Sequence, residues 1–426
     1  MRVVYLIAGA GGMYCGSCLR DNRLVATWLR QGRDVVLIPL YTPIRTDEMD
    51  VSERAVSYGG ISVYLEQQSK LFRRMPRALD RLLSARSLLR LAGRRAGATR
   101  ANELGDMTVS VLEGSHGHQR RELELLIERL RPLQPALVHL PNLLLLGAAK
   151  DLRAALSCRV ACSLAGEDIF LDALPEPHRT QALDLIRKSA AEVDLFVAPT
   201  NYYAGFVCRT YGIDASLIRY APLGIDTDGT AGPADPAPQP FTIGYLARIC
   251  PEKGFHVLCD AFKRLRQSGK TCRLRVAGYL GRADRVYYND TVAGLARAGM
   301  TRDFEYLGEV SRAQKVEFLG SLHVLSVPTV YHEAKGLYVL EAMACGVPVV
   351  QPGHGSFPEL IEATGGGLVY DPNDAGGLVN ALVELMEDDD LRRRLAAAGR
   401  RAVRERFTDE VMARETWSLY EQCIGA

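Results

Sequence analysis

The sequence predicts an α/β protein of two doubly wound domains facing a central cleft, and three observations carry that expectation. Short runs rich in Val, Ile and Leu recur along the chain, longer stretches with helical spacing separate them, and one segment rich in Pro, Gly, Ala and Asp interrupts the series near its middle. With 426 residues, 47% of them hydrophobic and 24% charged, the chain can build two domains of ordinary size, each with its own core.

The first five runs are VVYLIA, DVVLIPLY, ALVHLP, RVACSL and DLFVAP. They are apolar on both faces rather than alternating, as strands must be when helices cover both sides of a parallel sheet. These runs define a first domain, residues 1–223. GIDTDGTAGPADPAPQP then has no periodicity and reads as a linker over residues 224–240. Six more runs, FTIGYLA, RLRVAGY, FEYLG, HVLSVP, VPVVQP and GLVYDP, build a second domain, residues 241–406. RFTDEVMARETWSLYEQ gives residues 407–426 a helical period. Open sheets of this kind bind ligands beyond the carboxyl ends of their strands, so the cleft is the expected site.

Residues 70–100, KLFRRMPRALDRLLSARSLLRLAGRRAGATR, break the alternation with ten basic residues against one acidic residue, Asp80. Leucines at 79, 82, 83, 88, 89 and 91 predict a basic amphipathic helical insertion over about 68–100. Such a helix either packs on the domain with a solvated outer face or makes peripheral contact with an anionic membrane or acidic acceptor. Elsewhere charge is balanced: a formal net charge of +2 creates no field that would draw nucleic acid, and no such partner is expected. The ten cysteines are scattered, many inside runs such as CRVACSL, as reduced core thiols are in a reducing compartment. MRVVYLIA turns straight into a glycine loop without the apolar region or cleavage site of a signal peptide. A cytoplasmic protein, membrane-associated at most through the basic insertion, is expected.

Chemistry concentrates in TVYHEAKGLYVLEAMACGVPVV, residues 329–350. HVLSVP is a strand, TVYHEAK a loop, and GLYVLEAMAC a helix that Gly346 caps and Pro348 forbids from continuing. That order aims the helix N-terminus at the cleft, where the amides of Gly336 and Leu337 and the positive end of the dipole suit a phosphate. Glu333 stands just before this point, and Glu341 lies deeper, inside an apolar helix, where a carboxylate is rare unless something polar satisfies it. Carboxylates beside an anion are placed to accept hydrogen bonds from hydroxyls; a sugar on one side and a ribose on the other would satisfy both. A phosphate also needs cations. GYLARICPEKGF supplies Arg248 and Lys253 in a loop held by Pro251 and Gly254. A rigid guanidinium fork and a mobile ammonium can hold a diphosphate and stabilise the charge that grows as it leaves.

Glu333, seven residues and Glu341, opening as EAKGL and closing as LEAMA, resemble the signature of the retaining glycosyltransferases of GT-B fold, family 4 (group 1 type). ARICPEKGF, FEYLGEV and GGLVYDPND in the second domain, with FVAPTNYYAGFV and APLGID at the close of the first, extend the likeness over essentially the whole chain. The resemblance implies two Rossmann-like domains, an acceptor side and a nucleotide-sugar side. It implies transfer of a sugar from a nucleoside diphosphate sugar, most commonly UDP-linked, to an unidentified acceptor hydroxyl, with retention and with no metal or other cofactor. By the same resemblance, Glu333 holds hydroxyls of the transferred sugar, Arg248 and Lys253 grip the diphosphate, Glu341 meets the ribose, and the backbone at Glu309 and Val310 meets the base. Gly11 and Gly12 of IAGAGGMYCGSCLRDN approach the donor diphosphate, and the last helix crosses back to the first domain.

Several residues depart from simple templates. Gly9 and Gly11 suggest a dinucleotide fingerprint, but Tyr14 stands where its third Gly belongs, and LIPLYTP offers no acidic residue for a ribose. A nicotinamide cofactor is therefore not expected, and Tyr14 becomes a candidate sugar or acceptor contact. Cys15 and Cys18 form a lone Cys-x-x-Cys without a second pair, which argues against zinc and leaves either plain loop thiols or a redox or substrate-contact role. SLAGEDIF places Ala165 where the family commonly carries a His that reaches the donor sugar, which either reshapes the pocket or marks a weak enzyme. His139 is expected to be a hydrogen-bonded residue of the first domain. Glu167 and Asp168 either cap a helix or face the acceptor, and Lys335 either lies on the surface or reads an acidic group on the sugar. Rival readings are a phosphorylase-like or sucrose-synthase-like enzyme on the same fold, and a nucleotide-sugar or glycan-binding protein without turnover.

Overall fold

The computed structural model describes residues 1–9, 15–46, 48–58, 104–230 and 239–425. Gly11, Gly12, Tyr14, the predicted basic insertion and residues 231–238 of the predicted linker lie outside the described residues. The chain divides into two units, one of Met1–Gly224 with Asp409–Ala426 and one of Ile225–Thr408.

In the first unit, β1 (Val3–Ile7), β2 (Val35–Pro39), β3 (Leu137–Leu140), β4 (Arg159–Ser163), β5 (Leu195–Ala198) and β6 (Ile218–Tyr220) form a parallel sheet in the order β2-β1-β3-β4-β5-β6. Every residue of β1 is buried, as two-sided coverage requires, and register sets Tyr5 opposite both Leu37 and His139. β6 is absent from the runs read in the sequence. Only one of its three residues, Ile218, is buried, so an edge strand this short carries almost no apolar signal.

Helix Gly16–Arg30 covers this sheet, and helix Asp409–Gly425 packs on it in turn. The Trp28 and Trp417 rings meet edge-on at 5.4 Å, Trp28 Nε1 donates to the Ala413 carbonyl at 2.8 Å, and Thr27 Oγ1 donates to Asp409 Oδ2 at 2.9 Å. Met412, Ala413, Trp417 and Tyr420 belong to the same core as Tyr5 and Trp28, so the last helix is part of the first unit's interior. Burial of each such aromatic contributes on the order of 2–3 kcal/mol.

The second unit repeats the plan with β7 (Phe241–Leu246), β8 (Cys272–Ala277), β9 (Phe304–Tyr306), β10 (Val324–Leu325), β11 (Val349–Pro352) and β12 (Gly367–Tyr370), parallel in the order β12-β11-β10-β7-β8-β9. The strand order reverses between β10 and β7, which pair directly, and it is at such a reversal that loops diverge and leave room for a ligand. HVLSVP yields only a two-residue strand because side chains take over its ladder: Ser326 Oγ donates to the Val350 carbonyl at 2.7 Å, and the Val327 amide donates to Gln351 Oε1 at 3.2 Å. This unit begins and ends side by side, since Ile225 bridges Thr408 and its amide donates to the Phe407 carbonyl at 2.9 Å. Among the described residues no helix is long and apolar enough to cross a membrane.

Candidate functional site

The loops that leave β7 and β10 make the site. After β7 the chain passes Arg248 and Cys250 into a single 3-10 turn, Pro251–Lys253. Gly254 closes it at φ +69°, and a Cβ there would stand 1.7 Å from the Pro328 carbonyl oxygen, so only glycine lets this loop lie against the segment after β10. The Glu252 carbonyl accepts the Val330 amide at 2.9 Å, fastening the two loops to each other. Buried Tyr245 supports the first loop from beneath, its hydroxyl 3.1 Å from the Arg248 carbonyl and 3.4 Å from that of Lys253.

Across this contact Lys253 meets Glu333. The ammonium lies 2.5 Å from Glu333 Oε2 and 2.5 Å from the Tyr331 hydroxyl. Tyr331 donates in turn to Glu333 Oε2 at 2.7 Å, and Tyr338 donates to the same oxygen at 3.1 Å. The Lys335 amide donates to Oε1 at 3.4 Å. Glu333 is only 6% exposed. Burial alone would push its carboxyl up, but the Lys253 charge and these hydrogen bonds outweigh it and hold the pKa at about 2. Burial, and then the Glu333 charge, drive the Tyr338 phenol well above its ordinary value, so that hydroxyl stays a donor. The Lys253 ammonium also lies 4.9 Å from the Tyr331 ring centroid and 5.4 Å from that of Tyr338.

Gly336, at φ +73°, turns the loop into helix Leu337–Ala344. The first amides of an α-helix lack intrahelical acceptors, and this helix begins four residues after Glu333, although its Val339 amide already donates to the Gly336 carbonyl at 2.9 Å. Glu341 lies in the second turn, and Lys315 of helix Arg312–Gly320 satisfies it at 2.8 Å. Ser311 caps that second helix in a reciprocal box with Gln314, immediately after Glu309 and Val310. The structure therefore sorts the predicted residues into a Lys253–Glu333 group before helix Leu337–Ala344 and a Glu341–Lys315 group on it. The expectation that the helix carboxylate would be the buried one is reversed: Glu333 in the loop is buried, and Glu341 is half-buried. Arg248 joins neither group; its side chain is part-exposed, donating from Nε to Cys250 Sγ at 3.3 Å with Glu252 at 3.9 Å. Lys335 is buried rather than a surface lysine.

Sequence reading missed Tyr245, Tyr331, Tyr338 and Lys315. The Tyr-x-Glu spacing hints at Tyr331, Tyr245 and Tyr338 stand unremarked inside GYLARICPEKGF and EAKGLYVLEAMA, and Lys315 comes close through folding from a position that carries no motif.

In the first unit, Glu167 is buried and committed to its own scaffold. Its carboxylate accepts the Leu143 amide at 3.0 Å and the Ala165 amide at 3.1 Å, and lies 3.0 Å from the Tyr203 hydroxyl. Asp168, half-buried beside it and 3.2 Å from the same hydroxyl, is pushed up to about 6 by burial. His139 is a core residue: its Nε2 is 2.7 Å from Ser163 Oγ, its Nδ1 is 2.7 Å from the Tyr420 hydroxyl, and its ring stacks on Tyr5 at 4.2 Å. Burial first, then Arg20, hold it neutral, well below the usual histidine range. Arg20 and Asp21, unremarked in the sequence, pair at 2.5 Å in this network. All ten cysteines are free thiols; a hydrogen bond with Cys15, then burial, push Cys18 well above its ordinary value. Among the described residues no cluster of three His, Cys, Asp or Glu side chains could hold a metal ion.

Two family profiles match the chain: "Glycosyl transferases group 1" over residues 233–402 and "Glycosyltransferase Family 4" over residues 58–228. Phosphatidyl-myo-inositol mannosyltransferase of Mycobacterium tuberculosis is 33% identical over 214 residues, 48% of this chain and 54% of that protein. The GDP-mannose-dependent monoacylated alpha-(1-6)-phosphatidylinositol monomannoside mannosyltransferase of Corynebacterium glutamicum is 25% identical over 66% of this chain and 74% of its own length. The chain thus spans about half the length of the mycobacterial relatives it matches. Among solved structures, sucrose-phosphate synthase of Thermosynechococcus elongatus superimposes with a TM-score of 0.73 over 100% of both chains at 16% identity. Anabaena HepE, in a complex with UDP and glucose, gives 0.69 over 99% of this chain and 100% of its own at 15% identity. At these identities the likeness speaks to the fold.

Proposed function

The chain belongs to the group 1 glycosyltransferases of GT-B fold, and on that premise we propose that its second unit binds a nucleoside diphosphate sugar and moves the sugar to an acceptor hydroxyl, with retention and without a metal. The observation that supports this most directly is the Lys253–Glu333 contact at the start of helix Leu337–Ala344, which gathers a cation, a hydroxyl-accepting carboxylate and helix amides at one point. In the proposed reaction the bond between the anomeric carbon and the diphosphate oxygen breaks, and its electron pair stays on the phosphate. Lys253, Arg248 and the helix amides stabilise that charge. The acceptor oxygen bonds to the same face of the sugar, and its proton passes to the departing phosphate. Glu333 receives hydroxyls of the transferred sugar, Glu341 the ribose, and the Glu309–Val310 backbone the base; retention rests on the family resemblance.

Because the Corynebacterium relative is named as GDP-mannose-dependent, the donor panel should include GDP-mannose beside UDP-linked sugars. Incubation of the full chain with labelled donors and a polyol acceptor should release nucleoside diphosphate, and Lys253→Ala should lower that release by about two to three orders of magnitude. Near-normal turnover in the alanine variant would refute the assignment.

A further inference from the structure

The proposed reaction leaves one group of the site without a task. The Tyr331 hydroxyl lies 2.5 Å from the Lys253 ammonium and 2.7 Å from Glu333 Oε2, and the ammonium stands 4.9 Å from its ring centroid. A hydroxyl carries one proton and two lone pairs, so it can accept from the ammonium and donate to the carboxylate at once. We propose that Tyr331 is a positioning residue of the donor site, whose hydroxyl keeps Glu333 ionised and aimed while Lys253 turns its charge toward the donor diphosphate. The inference rests on the donor-site reading given above.

The need for such a residue follows from burial. Glu333 is only 6% exposed, and an ionised carboxylate so placed survives on its partners. Lys253 supplies the largest favourable share, and the Tyr331 hydroxyl and the Lys335 amide add to it. A diphosphate that competes for the ammonium weakens the first share and leaves the second. The ammonium lies over the rings of both Tyr331 and Tyr338, but it is the Tyr331 hydroxyl that it hydrogen-bonds, so Tyr331 can follow the lysine through the exchange. The charged and titratable side chains that touch Glu333 are Lys253 from the loop after β7, Tyr331 from its own loop and Tyr338 from the following helix, while the neighbouring His332 ring meets His354 from the loop after β11 at 4.9 Å. Burial, then His332, hold His354 below the usual histidine range.

The test compares the full-length wild type with Tyr331→Phe, Tyr331→His, Glu333→Gln and Lys253→Ala, reading kcat and KM for donor between pH 4 and 9, GDP and UDP binding by calorimetry, and thermal melting. Tyr331→Phe is expected to lower kcat about tenfold, the worth of a hydrogen bond to a charged group. It should leave donor KM within about twofold and move the acid limb of the profile upward by at least about half a pH unit. Tyr331→His, which keeps a donor, should restore part of the rate, and Tyr331→Phe should cost nothing further in the Glu333→Gln background. A wild-type pH profile in Tyr331→Phe, a loss confined to KM, or full additivity with Glu333→Gln overturns the inference while leaving the donor site in place. Wild-type turnover in Lys253→Ala, or no nucleotide binding by the wild type, removes the donor-site reading and this inference with it. If Tyr331→Phe fails to fold, Tyr331→His decides: a kcat lowered by less than about tenfold together with an acid limb moved upward supports the hydroxyl's role, and a wild-type kcat and pH profile, or a loss confined to KM, overturns it.

Discussion

Replacing Lys253 by Met should destabilise the second unit by an amount the site itself sets. The Lys253 and Glu333 side chains are 19% and 9% exposed, so solvent screens the pair little. A carboxyl drawn from 4.5 to about 2, at about 1.36 kcal/mol per pH unit, is worth about 3 kcal/mol at neutral pH. Removing one partner of a buried pair usually costs about 3–5 kcal/mol, which agrees. Because folding depresses the Glu333 pKa, this stability is fully present above 4.5 and is lost as pH falls toward about 2. The gap between wild type and variant should therefore be about 3 kcal/mol at pH 7 and narrow steadily below pH 4.5. With a urea slope of about 2 kcal/mol per molar, the midpoint should drop by roughly 1.5 M. Both tryptophans, Trp28 and Trp417, lie in the first unit, so their fluorescence gives an internal control that stays put while far-ultraviolet circular dichroism reports the shift. Adding Glu333→Gln should recover most of the loss, since an amide needs no counter-charge. An unchanged midpoint at pH 7, or a gap that stays constant down to pH 3, would refute the reasoning.

Gly254→Ala forces a Cβ into the Pro328 carbonyl and a left-handed backbone on alanine; a loss of about 2 kcal/mol or more, with nucleotide release falling as well, should appear in the same unfolding and turnover assays. Glu341→Ala should weaken nucleoside diphosphate binding about tenfold by calorimetry while leaving kcat nearly unchanged, as loss of a ribose contact does; an equal loss in kcat would move Glu341 into the chemistry. His139 is held neutral with its pKa well below 6.5, so its contribution to the first unit is present above 6.5 and lost as pH falls beneath it. Tryptophan fluorescence in urea should show that loss between pH 7 and 5 in the wild type and a flatter dependence in His139→Gln.

The alternation of apolar runs with helical spacing made the two-sheet architecture legible, because a strand buried on both faces leaves an unbroken apolar run such as VVYLI. Where burial lapses, legibility lapses too: β6 exposes two of its three residues and passed unread. The site shows the same division. Glu333, Lys253 and Glu341 stand in a loop and a helix whose glycine punctuation is local, and they could be found from spacing. Which of them pair with each other could not, since Lys253 and Glu333 are 80 positions apart and Lys315 and Glu341 are 26 apart. Glu167 looked equivalent to Asp168 in a Gly-Glu-Asp turn; only the amides of Leu143 and Ala165 separate a structural carboxylate from a half-exposed one.

The pairing of Ile225 with Phe407 and Thr408 has a practical corollary. Residues 225–408 are a continuous cassette whose entry and exit are already stitched together, carried within a host that supplies both ends of the polypeptide. Such a cassette can be excised, closed on itself or exchanged for its counterpart from a relative through two neighbouring splice points. Nucleotide preference, if it resides in this half, should travel with the graft.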